Sequence, residues 1–390
     1  MRLLYVIDSL VPGGAERSLL ALAPHYAARG VDLEVAYLHD RPGLQADLER
    51  AGAMLHFVDG NRRMERMRRL TTLLGRRRPD LVHTTLFESD LAGRVAARRT
   101  RTPVVSSLVS EHYGPAHRSN PALRRWKLRG AQVVDALTAR LAVRLHAVSA
   151  HVADLMAHNL RYPRNRIDVV PRGRDPDSLG ARTPQRRATA REQLGLAPDA
   201  RVLLAVARQE HAKGLDVVLE AMPSLAADVD AIHLFVAGQE GGATTDLRAL
   251  VDRLGLGHSV TFLGGRDDVP DLLCAADVFV LTSRREGSPG SVMEAMALEL
   301  PIVVTDLPQI REVVNEASAV LVAPSSPPEH LARSIARVFR ERGATERRVN
   351  VARRRFLADF TIGQVADDMV AFYRRSLASV SRAAGHGPRR

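Results

Sequence analysis

Cysteine is almost absent from this 390-residue chain, which contains only Cys274. One thiol cannot form an internal disulfide or a cysteine-based zinc cluster, and it fits a reducing compartment. Long hydrophobic runs are absent as well. The first run, residues 3–7, ends at Asp8 and is too short for a signal peptide. No run approaches the roughly 18 apolar residues that span a bilayer. We therefore expect a cytoplasmic protein.

Aromatic residues and lysine are also scarce. Phe, Trp and Tyr make up 4% of the chain, and no stacking platform or RNA-binding motif accompanies the positive charge. Nucleic acid is therefore not an expected partner. The net charge of +12 comes from 56 basic residues, of which only Lys127 and Lys213 are lysine. Two interpretations remain open, a compositional preference for arginine and an attraction to phosphate or anionic lipid.

Short apolar runs alternate with longer amphipathic stretches along the chain. This alternation predicts parallel sheets covered by helices on both faces, and the length favours two domains. We therefore predict an α/β protein with two tandem Rossmann-like, doubly wound domains. The predicted strands are 2–8, 33–38, 80–84, 104–108, 145–148, 202–207, 232–237, 260–263, 278–281 and 302–305; predicted helices include 15–28, 89–98, 149–158 and 214–222.

The alternation breaks at residues 171–191, whose richness in proline, glycine and arginine indicates a linker. We place the domain boundary near residue 178, giving an N-terminal domain over 1–178 and a C-terminal domain over 179–361. An amphipathic helix is predicted at 362–380, and the tail 381–390 is predicted to be disordered.

A glycine-rich turn, PGGAE at residues 12–16, follows the first predicted strand. Gly13 and Gly14 would let the backbone approach a ligand closely, and the next helix would offer free N–H groups to an anion. The turn is not the G-x-G-x-x-G of nicotinamide-binding domains, which argues against an NAD-dependent oxidoreductase. An ordinary tight turn is the alternative interpretation.

Two cations, Arg208 and Lys213, follow the strand predicted at 202–207. Ligands of doubly wound sheets bind at the carboxyl ends of strands, so this pair could clamp a diphosphate. Lys213 is the more informative residue, because the chain uses arginine at nearly every other basic position and lysine is a compact, flexible point charge. The alternative is a solvated helix start.

Two glutamates, Glu286 and Glu294, lie in the segment EGSPGSVMEAM at 286–296, after the strand predicted at 278–281. The helix start near Ser291 would supply N–H donors for phosphate oxygens. Carboxylates accept hydrogen bonds from ribose or hexose hydroxyls. The alternative is that both glutamates are ordinary surface acids.

Together these segments resemble the family-4 retaining glycosyltransferases of the GT-B fold, also described as glycosyl transferases group 1. The C-terminal half carries Glu286-x7-Glu294 within REGSP, followed by EAMA at 294–297 and PIVVTD at 301–306. Upstream are AVAR at 205–208 and the Lys-Gly pair at 213–214. The N-terminal half carries VPGGAE at 11–16, AVS at 147–149 and IDVVP at 167–171. The resemblance covers nearly the whole chain in order.

The resemblance implies an activity. Two Rossmann-like domains would face a cleft and transfer a hexosyl unit, with retention, from a nucleotide-diphosphate sugar. The acceptor would be a glycan, a lipid-linked molecule or a small molecule, as in polysaccharide or glycoconjugate biosynthesis. Domain closure would complete the site and exclude water. The helix at 362–380 would pack back on the N-terminal domain.

The resemblance also implies residue roles. Arg208 and Lys213 would hold the donor pyrophosphate, Glu294 the ribose hydroxyls and Glu286 the transferred sugar. Gly14 would close the cleft from the N-terminal domain. The residues expected at the helix start, with backbone amides for phosphate and sugar oxygens, are Gly290, Ser291 and Val292.

The chain departs from the family pattern in three places. Glu299 stands where a glycine is usual, and Arg172 stands where an asparagine is usual. The family's N-terminal histidine has no clean match. His112 is the candidate for a fourth catalytic residue beside Glu286, Arg208 and Lys213, and its alternative is a loop histidine.

No metal and no cofactor are expected. The leaving group would be a nucleoside diphosphate, whose developing charge the two cations and the helix start near Ser291 can stabilise without a metal. The Asp228-Val229-Asp230 sequence resembles the metal-binding Asp-x-Asp of another glycosyltransferase fold. It precedes the strand at 232–237, away from the expected site, and we interpret it as a loop.

A basic segment at 61–78 carries eight arginines, with Met64, Met67, Leu70 and Leu74 at near-helical spacing. Such a helix can lie on an anionic membrane, with Trp126 as an interfacial anchor, and this would suit a lipid-linked acceptor. It can equally be a solvated helix on the sheet. Two other functions stay open, a catalytically silent nucleotide-sugar-binding protein and a basic membrane-surface scaffold.

Overall fold

The structure, a computed structural model, describes residues 1–111, 113–114, 124–197 and 199–385, except for the side chains of residues 125 and 381–385. The chain divides into two compact units. Unit 1 comprises Met1–Gly173 together with Ile362–Arg390, and unit 2 comprises Arg174–Thr361. The first crossing between the units thus falls a few residues before the boundary expected near residue 178.

Unit 1 contains a sheet of seven parallel strands. They are β1 Arg2–Ser9, β2 Asp32–His39, β3 Met54–Phe57, β4 Leu81–Thr85, β5 Val104–Leu108, β6 Arg144–Ala147 and β7 Ile167–Val169. Their order across the sheet is β3-β2-β1-β4-β5-β6-β7. The central strands are buried on both faces, which explains why they are continuous apolar runs in the sequence.

Helices cover both faces of this sheet. They are α1 Gly14–Ala27, α2 Gln45–Arg50, α3 Arg63–Arg77, α4 Phe87–Thr100, α5 Arg125–Ala139 and α6 Ala150–Leu160. Alternate residues of β1 belong to different cores: Leu3 and Ile7 pack with α1 and the C-terminal helix, while Leu4 and Val6 pack with α3 and α4. The α5 and α6 helices continue the α3–α4 layer over β5 and β6.

Unit 2 contains a sheet of six parallel strands. They are β8 Arg201–Val206, β9 Ile232–Ala237, β10 Val260–Gly264, β11 Val278–Leu281, β12 Ile302–Thr305 and β13 Val320–Val322. Their order across the sheet is β10-β9-β8-β11-β12-β13. One large core, formed by the buried residues of the strands and the buried faces of the helices, holds the unit together.

The β8 strand lies at the centre of this core, where Leu203 and Leu204 are buried on opposite faces of the sheet. The unit's helices flank the sheet and account for the longer amphipathic stretches of the sequence. They are α7 Pro176–Leu179, α8 Pro184–Gln193, α9 Leu215–Asp228, α10 Thr244–Arg253, α11 Val269–Ala275, α12 Gly290–Ala297, α13 Pro308–Arg311, α14 Pro328–Arg340 and α15 Arg342–Asp359.

The segment predicted as a linker, 171–191, contains the crossing between the units at Gly173 and Arg174, and it also forms the α7 helix and most of the α8 helix, which were not predicted. Thr183 caps α8 by accepting a hydrogen bond from the Arg186 amide, which is a strong helix-start signal. Arg182 and Arg187 donate to the backbone carbonyls that end α11. Arg182 and Arg187 therefore satisfy the C-terminus of a helix instead of facing solvent.

The C-terminal helix α16, Ile362–Gly385, belongs to unit 1. Val365, Met369 and Phe372 are buried in the core that also contains α1, and Arg29 pairs with Asp367 at 2.7 Å. The helix continues past the expected end at residue 380, so the predicted disordered tail is wrong for residues 381–385. Residues 386–390 lie outside the described residues. In the part of the chain that the structure describes, no helix is long and apolar enough to cross a membrane.

Candidate functional site

The candidate donor site lies at the carboxyl end of the sheet in unit 2. From β8 the chain moves outward through β9 and β10, and it then returns to place β11 on the other side of β8. Such a reversal in strand order creates the crevice where doubly wound sheets bind ligands. The loops after β8 and β11, residues 207–214 and 282–289, flank this point and contain three of the predicted site residues, Arg208, Lys213 and Glu286.

Hydrogen bonds to backbone carbonyls hold the two loops together. The Thr282 hydroxyl donates to the Gly214 carbonyl at 2.7 Å, and the Arg284 amide donates to the Ala212 carbonyl at 2.9 Å. Gly214 has a φ of +60°, and a Cβ there would clash with the Thr282 carbonyl oxygen. Only glycine fits this position without displacing backbone. The loop after β8 is therefore fixed against the loop after β11.

Lys213 and Glu286 meet across these loops. Lys213 Nζ lies 2.7 Å from Glu286 Oε1, and the same oxygen accepts a hydrogen bond from the Ser283 hydroxyl at 2.6 Å. The Glu286 side chain is 7% exposed and that of Lys213 is 25% exposed. The pair thus combines a buried carboxylate with a cation that still reaches solvent. Arg208, in the same loop after β8, is exposed.

The start of α12 supplies the expected anion-binding backbone. Gly290 and Val292 are buried and Ser291 is half-buried. The Val292 amide donates to the Pro289 carbonyl at 3.2 Å, which leaves the amides of Gly290 and Ser291 as the donors of the first turn. The Ser288 hydroxyl, beside this helix start, is buried without a hydrogen-bond partner among the described residues. Burying such a hydroxyl costs free energy unless a ligand or a water molecule forms a hydrogen bond with it.

Glu294 is paired with Arg174, a residue that the sequence analysis missed. Arg174 Nε lies 2.5 Å from Glu294 Oε1, and the two side chains are 19% and 18% exposed. The guanidinium also lies over the helix start, because a Cβ on Gly290 would clash with Arg174 Nη2. In the sequence, only the positive charge of Arg174 could have indicated its role, and the other arginines of the segment 171–191 carry the same charge.

The glycine-rich turn of unit 1 lies between β1 and α1, as predicted. A Cβ on Gly14 would clash with Arg172 Nη1, so the arginine that replaces the usual asparagine packs against the turn. A cavity beneath it is lined by Ser18, His83 and Arg172, among others. The other predicted residue of this half, His112, lies outside the described residues.

A buried chain of hydrogen bonds runs through unit 1 and was also missed. His146 Nε2 donates to the Val170 carbonyl at 2.8 Å, which makes its Nδ1 the acceptor of the Ser107 hydroxyl at 2.7 Å. The Ser107 oxygen in turn accepts from His83 Nε2 at 2.7 Å, and His83 Nδ1 accepts from the Tyr373 hydroxyl at 2.7 Å. Both imidazoles are therefore neutral and each has one defined tautomer.

Burial sets the protonation state of these histidines. It lowers the pKa of His146 to about 4, against a smaller opposing effect of the Val170 carbonyl. It also lowers the pKa of His83 well below its ordinary value, with a further contribution from His146. The chain of hydrogen bonds links α16, through Tyr373, to Val170 just after β7, so it fixes both segments of unit 1 that adjoin unit 2 in sequence.

The Asp-x-Asp sequence lies at the opposite end of the sheet from the donor-site loops. Asp228 ends α9, and Asp230 precedes β9, so neither carboxylate adjoins Lys213 or Glu286. Asp228 pairs instead with Arg340 at 3.2 Å. Within the described ranges, no group of three histidine, cysteine or acidic side chains is arranged to hold a metal ion.

The predicted basic segment forms α3, and its arginines divide into two groups. Arg66 pairs with Glu88 at 3.1 Å and Arg77 with Glu34 at 2.8 Å, so part of the charge is used inside the fold. Leu70 and Leu74 are buried against the sheet. The exposed arginines at and beside this helix include Arg62, Arg68, Arg76 and Arg78.

Two sequence families match the chain in succession. The family described as "Glycosyltransferase Family 4" matches residues 12–178, and the family described as "Glycosyl transferases group 1" matches residues 186–355. The first covers most of unit 1 and the second most of unit 2. Together they include every predicted site residue.

Curated relatives carry related names. The 2-deoxystreptamine glucosyltransferase of Streptomyces kanamyceticus is 27% identical over 300 residues, which cover 74% of each chain. The 2-deoxystreptamine N-acetyl-D-glucosaminyltransferase of Streptomyces fradiae is 29% identical over 348 residues, covering 80% of this chain and 79% of the relative.

A solved structure shares the fold. The Anabaena protein Alr3699/HepE, crystallised in complex with UDP, superposes with a TM-score of 0.83 at 22% identity, over 96% of this chain and all of that one. The arrangement of two α/β units with parallel sheets is therefore that of the two-domain GT-B fold. On the two family matches and the sequence signature, the chain belongs to the glycosyltransferases of group 1 and family 4.

Proposed function

We propose that the chain is a retaining hexosyltransferase that uses a nucleotide-diphosphate sugar and requires neither a metal nor a cofactor. The observation that carries this proposal is the Lys213–Glu286 pair at 2.7 Å, beside the start of α12 and at the point where strand order reverses. A cation, a carboxylate and a helix start together provide groups for a leaving diphosphate and for a sugar.

The pyrophosphate is assigned to three features of unit 2. Lys213 and Arg208 supply positive charge, and the amides of Gly290 and Ser291 supply neutral donors at the positive end of a helix dipole. In the reaction, negative charge grows on the diphosphate as the bond to the anomeric carbon breaks. Fixed donors that are already oriented stabilise this charge without reorganisation. The Ser288 hydroxyl, which is buried and lacks a described partner, is suited to complete the same cradle.

The sugar and ribose are assigned to the two glutamates. Glu286 is held by Lys213 and Ser283, so its carboxylate has a fixed orientation and can accept hydrogen bonds from hexose hydroxyls. Glu294 would accept from the ribose hydroxyls after exchanging its contact with Arg174. From unit 1, Gly14 is assigned to the donor and His112 to catalysis. Retention by same-face attack is inferred from family membership.

The acceptor is a glycan, a lipid-linked molecule or a small molecule. Two relatives are named for transfer to 2-deoxystreptamine, which favours a small polyol or aminocyclitol among these classes. The fold relative was crystallised with UDP and with UDP-glucose, which favours a uridine donor. We place the enzyme in the cytoplasm.

Release of nucleoside diphosphate from UDP-, GDP- and ADP-hexoses, with and without a panel of acceptors, tests this proposal. We expect one donor series to be turned over. The isosteric variant Glu286→Gln should lose about 100-fold in turnover, in the range found for removal of one oriented transition-state group. Its nucleotide affinity should change little, because Glu286 is assigned to the sugar.

The matched control is Glu316→Gln, an exposed glutamate of the same unit, which should keep full turnover. The wild-type chain could bind a nucleotide tightly and yet produce no nucleoside diphosphate from any of the hexose donors. In that case the protein is a silent nucleotide-sugar-binding protein, and the transferase proposal fails.

Peripheral attachment to an anionic membrane through residues 61–78 is a second proposal. Its support is the group of exposed arginines Arg62, Arg68, Arg76 and Arg78, because cations near an anionic surface contribute about 1 kcal/mol each. Attachment by charge alone should weaken steeply with salt.

A further inference from the structure

The α5 helix presents apolar side chains to solvent. Trp126 is 68% exposed, Val133 57% and Leu137 58%, and Val134 is exposed as well. Nine large hydrophobic side chains are exposed among the described residues, and four of them are on this one helix. Exposed apolar residues scattered singly need no explanation, but a contiguous set on one element marks an interaction site.

These side chains form a stripe along the helix. At about 100° per residue, Trp126, Val133 and Leu137 project within about 40° of one another. Gly130 lies in the same stripe and adds no bulk. Asp135, on the opposite side of the helix, is buried and pairs with Arg94 at 2.7 Å. The stripe is therefore not the core face of a displaced helix but a second apolar surface on its outer side.

Cations flank the stripe on both sides. Lys127, Arg129 and Arg140 are exposed, and the helical projection places Arg129 and Arg140 on one flank and Lys127 on the other. Asp135 is the single acidic residue in the α5 sequence. All the charged side chains that are described as exposed on α5 are positive.

We infer that α5 docks on an anionic lipid surface, with Trp126, Val133 and Leu137 entering the headgroup–acyl boundary and the flanking cations contacting the headgroups. Tryptophan favours this boundary because one edge of its ring is apolar and the other carries an N–H donor. Lysine and arginine stems can lie along apolar surface while their charges remain in the polar layer. An apolar stripe with cationic flanks is the pattern of helices that lie in the membrane interface.

Charge also argues against a second copy of this chain as the occupant. Pairing two such faces would bring Lys127, Arg129 and Arg140 of each copy against those of the other without a neutralising acid on the helix. The neighbouring helices of the same layer extend the positive surface, since the exposed residues there include Arg98 and Arg99 on α4 and Arg68 and Arg76 on α3. An anionic surface satisfies all of these charges at once.

The inference is independent of the donor-site assignment and deepens the membrane proposal. The α3 helix would provide attraction by charge, while α5 would provide insertion. Insertion makes the attachment less sensitive to salt than charge alone, because apolar burial is not screened.

The chain carries its own probe, because Trp126 is its single tryptophan. The experiment titrates the full-length protein with vesicles of phosphatidylcholine and phosphatidylglycerol, or of phosphatidylcholine alone, and records tryptophan emission and co-sedimentation. We expect the emission to move to shorter wavelength with the mixed vesicles and to change little with phosphatidylcholine alone.

Three variants identify the surface. Val133→Ser with Leu137→Ser should lower partitioning by at least about tenfold, given the transfer free energy of two aliphatic side chains. Leu357→Ser removes an exposed apolar residue from unit 2 and should bind like the wild type. Arg68→Gln with Arg76→Gln measures the contribution of α3. All of these positions are exposed, so the variants should fold, and the α5 variant should keep wild-type nucleotide binding.

Other outcomes overturn the inference. Binding that leaves Trp126 emission unchanged and is lost in the α3 variant would assign docking to charge on α3. A concentration-dependent emission shift without lipid, together with dimers that the α5 variant abolishes, would assign the stripe to a second copy. Absence of binding to either kind of vesicle would also reject docking of α5 on lipid, whatever the result of the turnover assay.

Discussion

Single residues decide how the candidate site is prepared for a ligand. Lys213 and Glu286 are paired within the fold itself, so the sugar side of the site is ordered by the protein's own contacts. The ribose side differs, because Arg174 occupies the Glu294 carboxylate and lies over Gly290. A cation at a helix N-terminus opposes the helix dipole, and here Glu294 offsets that cost.

The first prediction concerns Glu294, which would exchange its contact with Arg174 for the ribose hydroxyls. Replacing Arg174 with alanine removes the competitor for the carboxylate, so affinity for the nucleoside should rise by about three- to tenfold, as expected for a partly buried ion pair worth about 1 kcal/mol. Calorimetric titration with the nucleoside and with its diphosphate measures the effect. Weaker nucleoside binding would contradict the competition and make Arg174 a residue that positions Glu294.

The two buried histidines give a prediction for stability against pH. The pKa of His146 is lowered to about 4 by burial, with opposing contributions from the Val170 carbonyl and Asp168 and a supporting one from Arg172. In the unfolded chain it is about 6.5. The unfolded state therefore binds more protons between these values, and the stabilisation is complete above pH 6.5 and is lost as pH falls towards 4.

Urea unfolding at pH 7 and pH 5 should show a loss of about 2 kcal/mol from His146 alone. The variant His146→Gln keeps a donor for Val170 and an acceptor for Ser107, and it should lose correspondingly less on acidification. An identical pH dependence in the two proteins would show that His146 does not carry the effect.

At the scale of elements, the end of α12 explains one departure from the family pattern. Glu299 follows this helix with a φ of +54°, in the left-handed region where the family's usual glycine is free of strain. A non-glycine residue there costs about 1–2 kcal/mol. Glycine avoids this strain but loses more backbone entropy on folding, so the net gain from glycine is smaller.

Glu299→Gly should therefore raise the free energy of unfolding by about 0.5–1 kcal/mol. Denaturant unfolding beside Glu299→Ala, which removes the charge but keeps the strain, separates backbone from electrostatic effects. Equal stability of the glycine and alanine variants would exclude backbone strain as the reason.

The sequence pattern was sufficient for the elements that are buried on both faces. Strands such as β5, β9, β11 and β12 coincide with their predicted ranges, because a central parallel strand is a continuous apolar run. The short edge strands β3, β7 and β13 were missed, since few of their residues are fully buried. The α8 helix was missed although Thr183 and Pro184 are a local start signal, because the proline, glycine and arginine content of residues 171–191 indicated a linker.

The same distinction applies to the site. Glycines and charged residues after strands could be recognised from the sequence, because the fold places the carboxyl ends of strands β8 and β11 together. The Arg174–Glu294 pair joins residues 120 positions apart, and the His83–Ser107–His146 chain joins three strands. Such contacts depend on side-chain geometry in the folded state, and composition and spacing do not determine them.

At the scale of the whole molecule, the central claim is that unit 2 binds a nucleoside diphosphate through Glu294, Lys213 and the start of α12. Family membership and fold establish the enzyme class, but the site residues rest on geometry within one unit. The claim therefore needs a binding measurement that does not depend on knowing the acceptor.

Calorimetric titration of the wild-type chain and of Glu294→Ala with UDP, GDP and ADP tests this claim most directly. The account predicts that one nucleotide binds, and that the variant binds it about tenfold or more weakly, since an acceptor for the ribose hydroxyls is lost. Failure of the folded wild-type chain to bind any of the three, or equal binding by the variant, would contradict the donor-site assignment.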